Sequence, residues 1–252
     1  MKNRVLTSLL FLAIIAPVLG AASSENMLDV FLSSASLADR RAAYLDILKN
    51  PNAYSDQILL YLENWQKTSD QDAEVLDRVI YLASAIKKNE FVGPLVNIAS
   101  DPEYQEHKCI YWCPAIFALA VYSISRPWIS PGQSTNWNIP HIPDMDSLLR
   151  GLSLSRSSPG IMFAQSEDQE ALSKAETMSE DELIHQAAPS NKNMETRWIA
   201  VSVLACTVQD DKNIAELYWL ALEEIGEQHF EYRYSIYKAI LRAEKARIEK
   251  RK

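Results

Sequence analysis

Apolar side chains recur every three or four positions along most of this chain, the period of an amphipathic helix. Over 37–48, Leu37, Arg41, Tyr44, Leu45 and Leu48 keep helical spacing, and Asn50 and Pro51 are placed to end that helix. Tyr54, Ile58, Tyr61, Leu62 and Trp65 repeat the pattern over 54–65, before a polar stretch from Gln66 to Asp72. The stripe of Val75, Leu76, Val79, Ile80, Leu82, Ala83 and Ile86 is too wide for one contact face, so the helix over 75–86 should be covered on more than one side. Pro94 suits the first position of a helix over 94–100, where its missing N–H has no partner to lose, and Asp101 and Pro102 close the segment. Residues 114–124 are nearly all apolar but too short to cross a bilayer, which predicts a core helix. Trp198, Val201, Ala205 and Val208 share one face over 195–208. Ile214, Leu217, Tyr218, Ala221, Leu222 and Ile225 give the cleanest register, with Gly226 placed to end it. The last helix covers about 229–249 with Phe230, Tyr234, Tyr237, Ile240 and Leu241 inward, and its basic end suits the negative pole of a helix. The expectation is an all-α fold of stacked antiparallel helix pairs.

Between Ser125 and Asn193 the period fails. Six prolines (Pro127, Pro131, Pro140, Pro143, Pro159 and Pro189) and three glycines punctuate this stretch. It reads as a long irregular insertion with short helices near 144–151, 169–177 and 179–188. Ser179 offers an N-cap followed by acids in the first turn, although Ser179 and Glu182 do not form a strict capping box by sequence. The expected organisation is a leader over 1–22, helical segments over 23–124 and 194–252, and the insertion over 125–193 between them, in one domain.

The leader is read from Lys2 and Arg4, an apolar run from Val5 to Leu19, and small residues from Gly20 to Ser24. These are the three parts of a secretory signal, with cleavage expected after Gly20, Ala21 or Ala22. The alternative is an uncleaved membrane anchor. Export places the chain in the periplasm or outside the cell. The whole chain has a formal net charge of −8, and loss of Lys2 and Arg4 takes it to −10. Such a balance lacks the basic footprint a nucleic-acid binder needs. No apolar stretch in the mature chain is long enough to span a membrane.

Arg41, Arg78, Arg197 and Arg233 sit near the starts of predicted helices, separated by 37 residues at one end of the chain and 36 at the other. Helix pairs of that period bury their faces by stacking on neighbours. The segment from Phe91 to Pro102, with its Asp101–Pro102 exit, resembles the second helix of a HEAT-type repeat. The segment from Thr196 to Leu204 resembles a first helix, and Arg233, Ile236, Ala239 and Ile240 follow it loosely. The likeness covers 37–124 and 194–248; residues 103–113 and 125–193 depart from it. A non-repetitive helical bundle is the other reading. The resemblance implies a protein-binding scaffold and carries no catalytic residues to transfer.

Candidate chemistry is sparse. His107, Cys109 and Cys113 lie close together, but structural zinc wants four ligands, so no metal or cofactor is expected. In an exported chain Cys109 and Cys113 are instead placed to form a disulfide, while Cys206, mid-helix among apolar residues, reads as a buried thiol. Ser84 and Lys87 have Ser-x-x-Lys spacing without the partner motifs of the enzymes that use it, and chance explains them better. Glu223 and Glu224 read as the polar side of their helix. In the insertion, Trp128, Trp137, His141, Asp144 and Asp146 form the candidate binding group. The rings either anchor the loop to the core or meet a ligand. Arg242 to Lys252 holds six basic and two acidic residues, which suits an anionic partner or a solvated helix end. Three functions follow: a non-enzymatic scaffold that binds another protein, an envelope hydrolase or glycan-acting enzyme sited at the insertion, or a structural stabiliser with no small ligand.

Overall fold

In the computed structural model, residues 26–71, 73–102, 104, 114–125, 169–208, 210–225 and 230–250 are described. Among them are twelve α-helices, one 3-10 turn and no strand, an all-α fold. The chain divides into two compact units, Met1–Ile47 and Leu48–Lys252.

The first unit holds α1 (Met27–Ser33) and nearly all of α2 (Leu37–Lys49). Asn26 caps α1 by accepting from the Leu28 N–H at 3.1 Å. Leu28, Phe31 and Leu32 of α1 and Ala43, Tyr44 and Ile47 of α2 are buried, and the Phe31 and Tyr44 rings lie 6.1 Å apart. The face of α2 differs from the sequence expectation. Ala43, Tyr44 and Ile47 point inward, whereas Leu37 and Leu45 are 47% and 37% exposed. Two stripes one position apart compete on this helix, and the one that is buried carries Ala43, Tyr44 and Ile47.

The second unit continues with α3 (Pro51–Glu63), α4 (Trp65–Gln71), α5 (Ala73–Ile86), α6 (Val92–Ser100), α7 (Pro114–Ser125), α8 (Gln169–Glu176), α9 (Glu180–Ala187), α10 (Met194–Thr207), α11 (Asp211–Glu223) and α12 (Phe230–Lys250). The polar stretch after Trp65 is helical, because α4 packs on α5 and α3. Pro94 sits in the third position of α6, since the 3-10 turn Asn89–Phe91 leads into the helix two residues earlier. Two short helices do form late in the proline-rich stretch. Contrary to the sequence expectation, Ser179 and Glu182, at the Ser-x-x-Glu spacing, make a full capping box: the Ser179 hydroxyl accepts from the Glu182 N–H, and the Glu182 carboxylate accepts from the Ser179 N–H at 2.8 Å. Asn193 and Asp210 cap α10 and α11 more simply, each side chain accepting from the backbone N–H three residues on.

The helices that touch form two rows. In one, α3 meets α5, α5 meets α11 and α11 meets α9; in the other, α6 meets α7, α7 meets α12 and α12 meets α10. Four rungs join the rows: α3 with α6, α5 with α7, α11 with α12 and α9 with α10. Each helix therefore buries side chains against two or three neighbours, which is how amphipathic helices escape water together. The chain does not fill the rungs in order. The final pair, α11 and α12, lies between the rung of α5 and α7 and that of α9 and α10. This central place explains why eight residues of α11, including Leu217 to Leu222, are buried. The core is aromatic where the rungs meet. Phe117 of α7 stacks on Tyr237 of α12 at 4.2 Å, and Tyr81 of α5 and Tyr218 of α11 close around them at 5.9 and 6.1 Å from Phe117. The Tyr81 and Tyr237 hydroxyls hydrogen-bond each other.

Candidate functional site

Two buried charged clusters sit among these rungs. The first joins α9, α10, α11 and α12. Arg197 enters α10 facing inward, where its guanidinium forms an ion pair with Glu224 just past the end of α11. Its Nε donates to the Ala187 carbonyl of α9 at 3.1 Å, and the guanidinium lies over the Tyr232 ring at 4.3 Å. Arg233 donates to the backbone carbonyl of Glu224. The Tyr232 hydroxyl donates to the Ala187 carbonyl at 2.5 Å. Burial holds the Tyr232 phenol above its ordinary range, against the opposing pull of Arg197. Two of the four arginines noticed for their spacing thus converge on one residue. Glu224 is buried, not on the polar side of its helix as its neighbour Glu223 suggested. The helix has ended by then, so helical spacing no longer assigns the face.

The second cluster joins α5, α11 and α12. Lys87, at the end of α5, has a left-handed backbone with φ of 62°. That turn carries its amine to Glu244 of α12, which is fully buried. Arg247 reaches the other Glu244 oxygen at 2.6 Å and Asp211 at 3.1 Å, and the Tyr218 hydroxyl donates to Glu244 at 3.3 Å. Burial pushes the Lys87 amine below its usual value; Glu244 opposes this and Arg247 adds to it. The Tyr122 hydroxyl of α7 braces the same turn by donating to the Ala83 and Lys88 carbonyls at 3.1 and 2.8 Å.

A buried lysine beside a serine invites a catalytic reading, but the geometry gives these groups other work. The Ser84 hydroxyl is buried and donates back to the Ile80 carbonyl at 2.7 Å, while the Lys87 amine is held by Glu244. The Ser-x-x-Lys spacing therefore assembles no nucleophile. Both clusters act as latches: the pairs Arg197–Glu224 and Lys87–Glu244 are largely desolvated and join neighbouring helices, so separating the helices would strand both charges of each pair.

The outer surfaces offer more to a ligand. In the first unit an open cleft of about 500 Å³ is lined by Met27, Val30 and Ala42, with Asp29 and Asp39 on its wall. Its acids favour a cationic or amide-bearing group over an anion. His185 lies exposed on α9. Cys206 is exposed rather than buried; it falls in the last turn of α10, outside the buried run Ile199–Ala205. Trp128, Trp137, His141, Asp144 and Asp146, like Cys109 and Cys113, lie outside the described residues. Among the described residues, no group of three or more His, Cys, Asp or Glu side chains is arranged to hold a metal ion, and no helix is long and apolar enough to cross a membrane.

Sequence spacing had found Arg197 and Arg233 but not what they hold. Glu224 and Glu244 carried no local signal of their partners, which come from distant helices, and the spacing that marked Lys87 pointed to Ser84 rather than to Glu244. Compared with known proteins, the chain matches no family model, no curated protein and no solved structure.

Proposed function

We propose that this chain is an exported, non-enzymatic scaffold that binds another protein through the outer faces of its stacked helices. The observation that carries this reading is the use of the interior. Arg197, Glu224, Arg233 and Glu244, all buried, are bound to neighbouring helices, and so is the Lys87 amine. Groups that an enzyme would aim at a substrate are here spent on fixing one helix against the next. What remains for function is surface: long helix faces in a fixed arrangement, the geometry that stacked helices use to hold a partner. Export is supported by the leader-like residues 1–22.

The test is cross-linking in the cell that makes the protein. A photo-reactive residue is placed at exposed positions of α2, α3 and α12 of the full chain, and the envelope and external fractions are resolved. Discrete, saturable adducts with one or a few proteins support the scaffold. A chain retained in the cytoplasm contradicts the export reading. Purified protein that turns over envelope glycan at enzymatic rates contradicts the non-enzymatic one.

A further inference from the structure

We infer that the outer face of α12 is a docking stripe for an acidic helix of a partner protein, formed by Lys238, Arg242 and Lys245 beside the ring of Tyr234. The inference rests on the scaffold reading and names one surface of it. The inward face of α12, with Ile236, Tyr237, Ile240 and Glu244, is buried. The outer face carries Tyr234, which the sequence pattern places inward but which is only part-buried, with Lys238, Arg242 and Lys245, at steps of four, four and three residues that align them along the helix. From Tyr234 to Lys245 the stripe runs roughly 16 Å, about three helical turns. The Lys238 amine lies over the Tyr234 ring at 4.3 Å.

These cations differ from the paired ones in the unit, and Lys238 and Arg242 differ also from Lys49, Lys67, Lys174, Lys192 and Lys250, which stand at exposed positions. Arg78, Lys87, Lys88, Arg197, Lys212 and Arg247 each meet a carboxylate. Among the described residues no ion pair joins Lys238, Arg242 or Lys245 to an acid, although the chain carries 33 acidic residues against 25 basic ones. Lys238 and Arg242 are also half-buried, so they have lost part of their hydration without gaining a counter-charge. Burial, with the Arg242 charge added, holds the Lys238 amine below its ordinary value. Like charges four residues apart weaken a helix. The helix pole does not offset this, because its influence is confined to the last turn and α12 runs on to Lys250. A helix that keeps such a stripe against its own stability has a use for it outside the chain.

Charge complementarity names the occupant. Carboxylates spaced along one face of a helix would meet all three cations, and the Lys238 amine is already oriented by the Tyr234 ring. Tyr and Arg are also the side chains that contribute most at protein interfaces. A phosphate polymer fits less well, because neutralising only about three phosphates releases too few counterions to hold it at physiological salt.

The probe is a labelled helical peptide with Glu at every fourth position, titrated with the full chain by fluorescence anisotropy at low salt. Lys238→Glu/Arg242→Glu should weaken binding about tenfold or more, whereas Lys67→Glu/Lys174→Glu, which changes net charge equally at other exposed sites, should change it less than about twofold. Lys238→Gln/Arg242→Gln should melt at or above the temperature of the parent. Equal weakening by both Glu pairs overturns the inference, as does displacement of the peptide by inorganic polyphosphate tighter than the peptide itself. A melting point lowered in the Gln pair makes the stripe structural and also overturns it. Loss of self-association in the Lys238→Glu/Arg242→Glu chain assigns the stripe to a second copy and overturns the proposed partner. If the stripe variant still forms every cross-linked adduct of the parent, the stripe fails and the scaffold stands; if the parent forms none, the scaffold itself fails.

Discussion

Replacing Glu224 by alanine should be among the most damaging single changes in the second unit. Arg197 is 4% exposed and Glu224 1%, so the substitution strands a desolvated guanidinium. Breaking a buried ion pair from one side costs about 3–5 kcal/mol. The lower end applies here, because Arg197 keeps its bond to Ala187, its place over Tyr232 and a contact with the Met194 sulfur at 3.2 Å. Arg233 is spared, since it binds the backbone carbonyl of Glu224. For a unit of this size about 3 kcal/mol lowers the urea midpoint by about 1–1.5 M and the melting temperature by roughly 6–12 °C. The assay is urea unfolding followed by far-ultraviolet circular dichroism. The double replacement Arg197→Met/Glu224→Leu removes both charges and should return to within about 1 kcal/mol of the parent. A Glu224→Ala cost below about 1 kcal/mol, or a double variant no better than the single one, refutes the latch.

Further outcomes follow from the same geometry. The raised phenol of Tyr232 contributes stability that is full below pH 10.0, its ordinary value, and is lost as pH rises beyond it. Tyr232→Phe should therefore start less stable, for want of the bond to Ala187, yet lose less stability between pH 9 and 11 in thermal melts; an unchanged alkaline slope contradicts this. Phe117→Ala opens a cavity against Tyr237, Tyr81 and Tyr218 and should cost about 3–5 kcal/mol by urea unfolding, where a cost near 1 kcal/mol would place the ring outside the core. Native alkylation followed by peptide mapping should modify Cys206 readily without loss of helix signal. Cys109 and Cys113 should stay unmodified if they are disulfide-bonded, and free thiols at both would reject that pairing.

How much the sequence reveals depends on whether a residue's partners are near or far along the chain. In α11 the spacing of Ile214, Leu217, Tyr218, Ala221 and Leu222 names buried residues directly, because a central helix must present that face inward. The wide stripe of α5 likewise announces a helix covered by α3, α4, α7 and α11. On α2 the reading picks the wrong stripe: Leu37 and Leu45 outweigh Ala43 in hydrophobicity, yet Ala43 is buried and both leucines are exposed. α4 is invisible because its sequence is polar and its stability comes from packing. The order of the rungs cannot be read from any local pattern: that α12 lies against α7 depends on Phe117 and Tyr237, which local periodicity treats as unrelated. The ionic partners are hidden for the same reason. Arg197 stands out by its spacing, but Glu224 is one of 33 acidic residues and nothing beside it in the chain marks it as buried.

The central claim is that the C-terminal helix lies inside the stack, held against the middle of the chain by an aromatic core. Nuclear Overhauser contacts between selectively labelled Phe and Tyr rings test this without altering a residue. The packing predicts strong cross-peaks from Tyr237 to Phe117, 4.2 Å away, and to Tyr81, 5.8 Å away. Tyr237 rings that show no contact with either residue in the folded protein would contradict it.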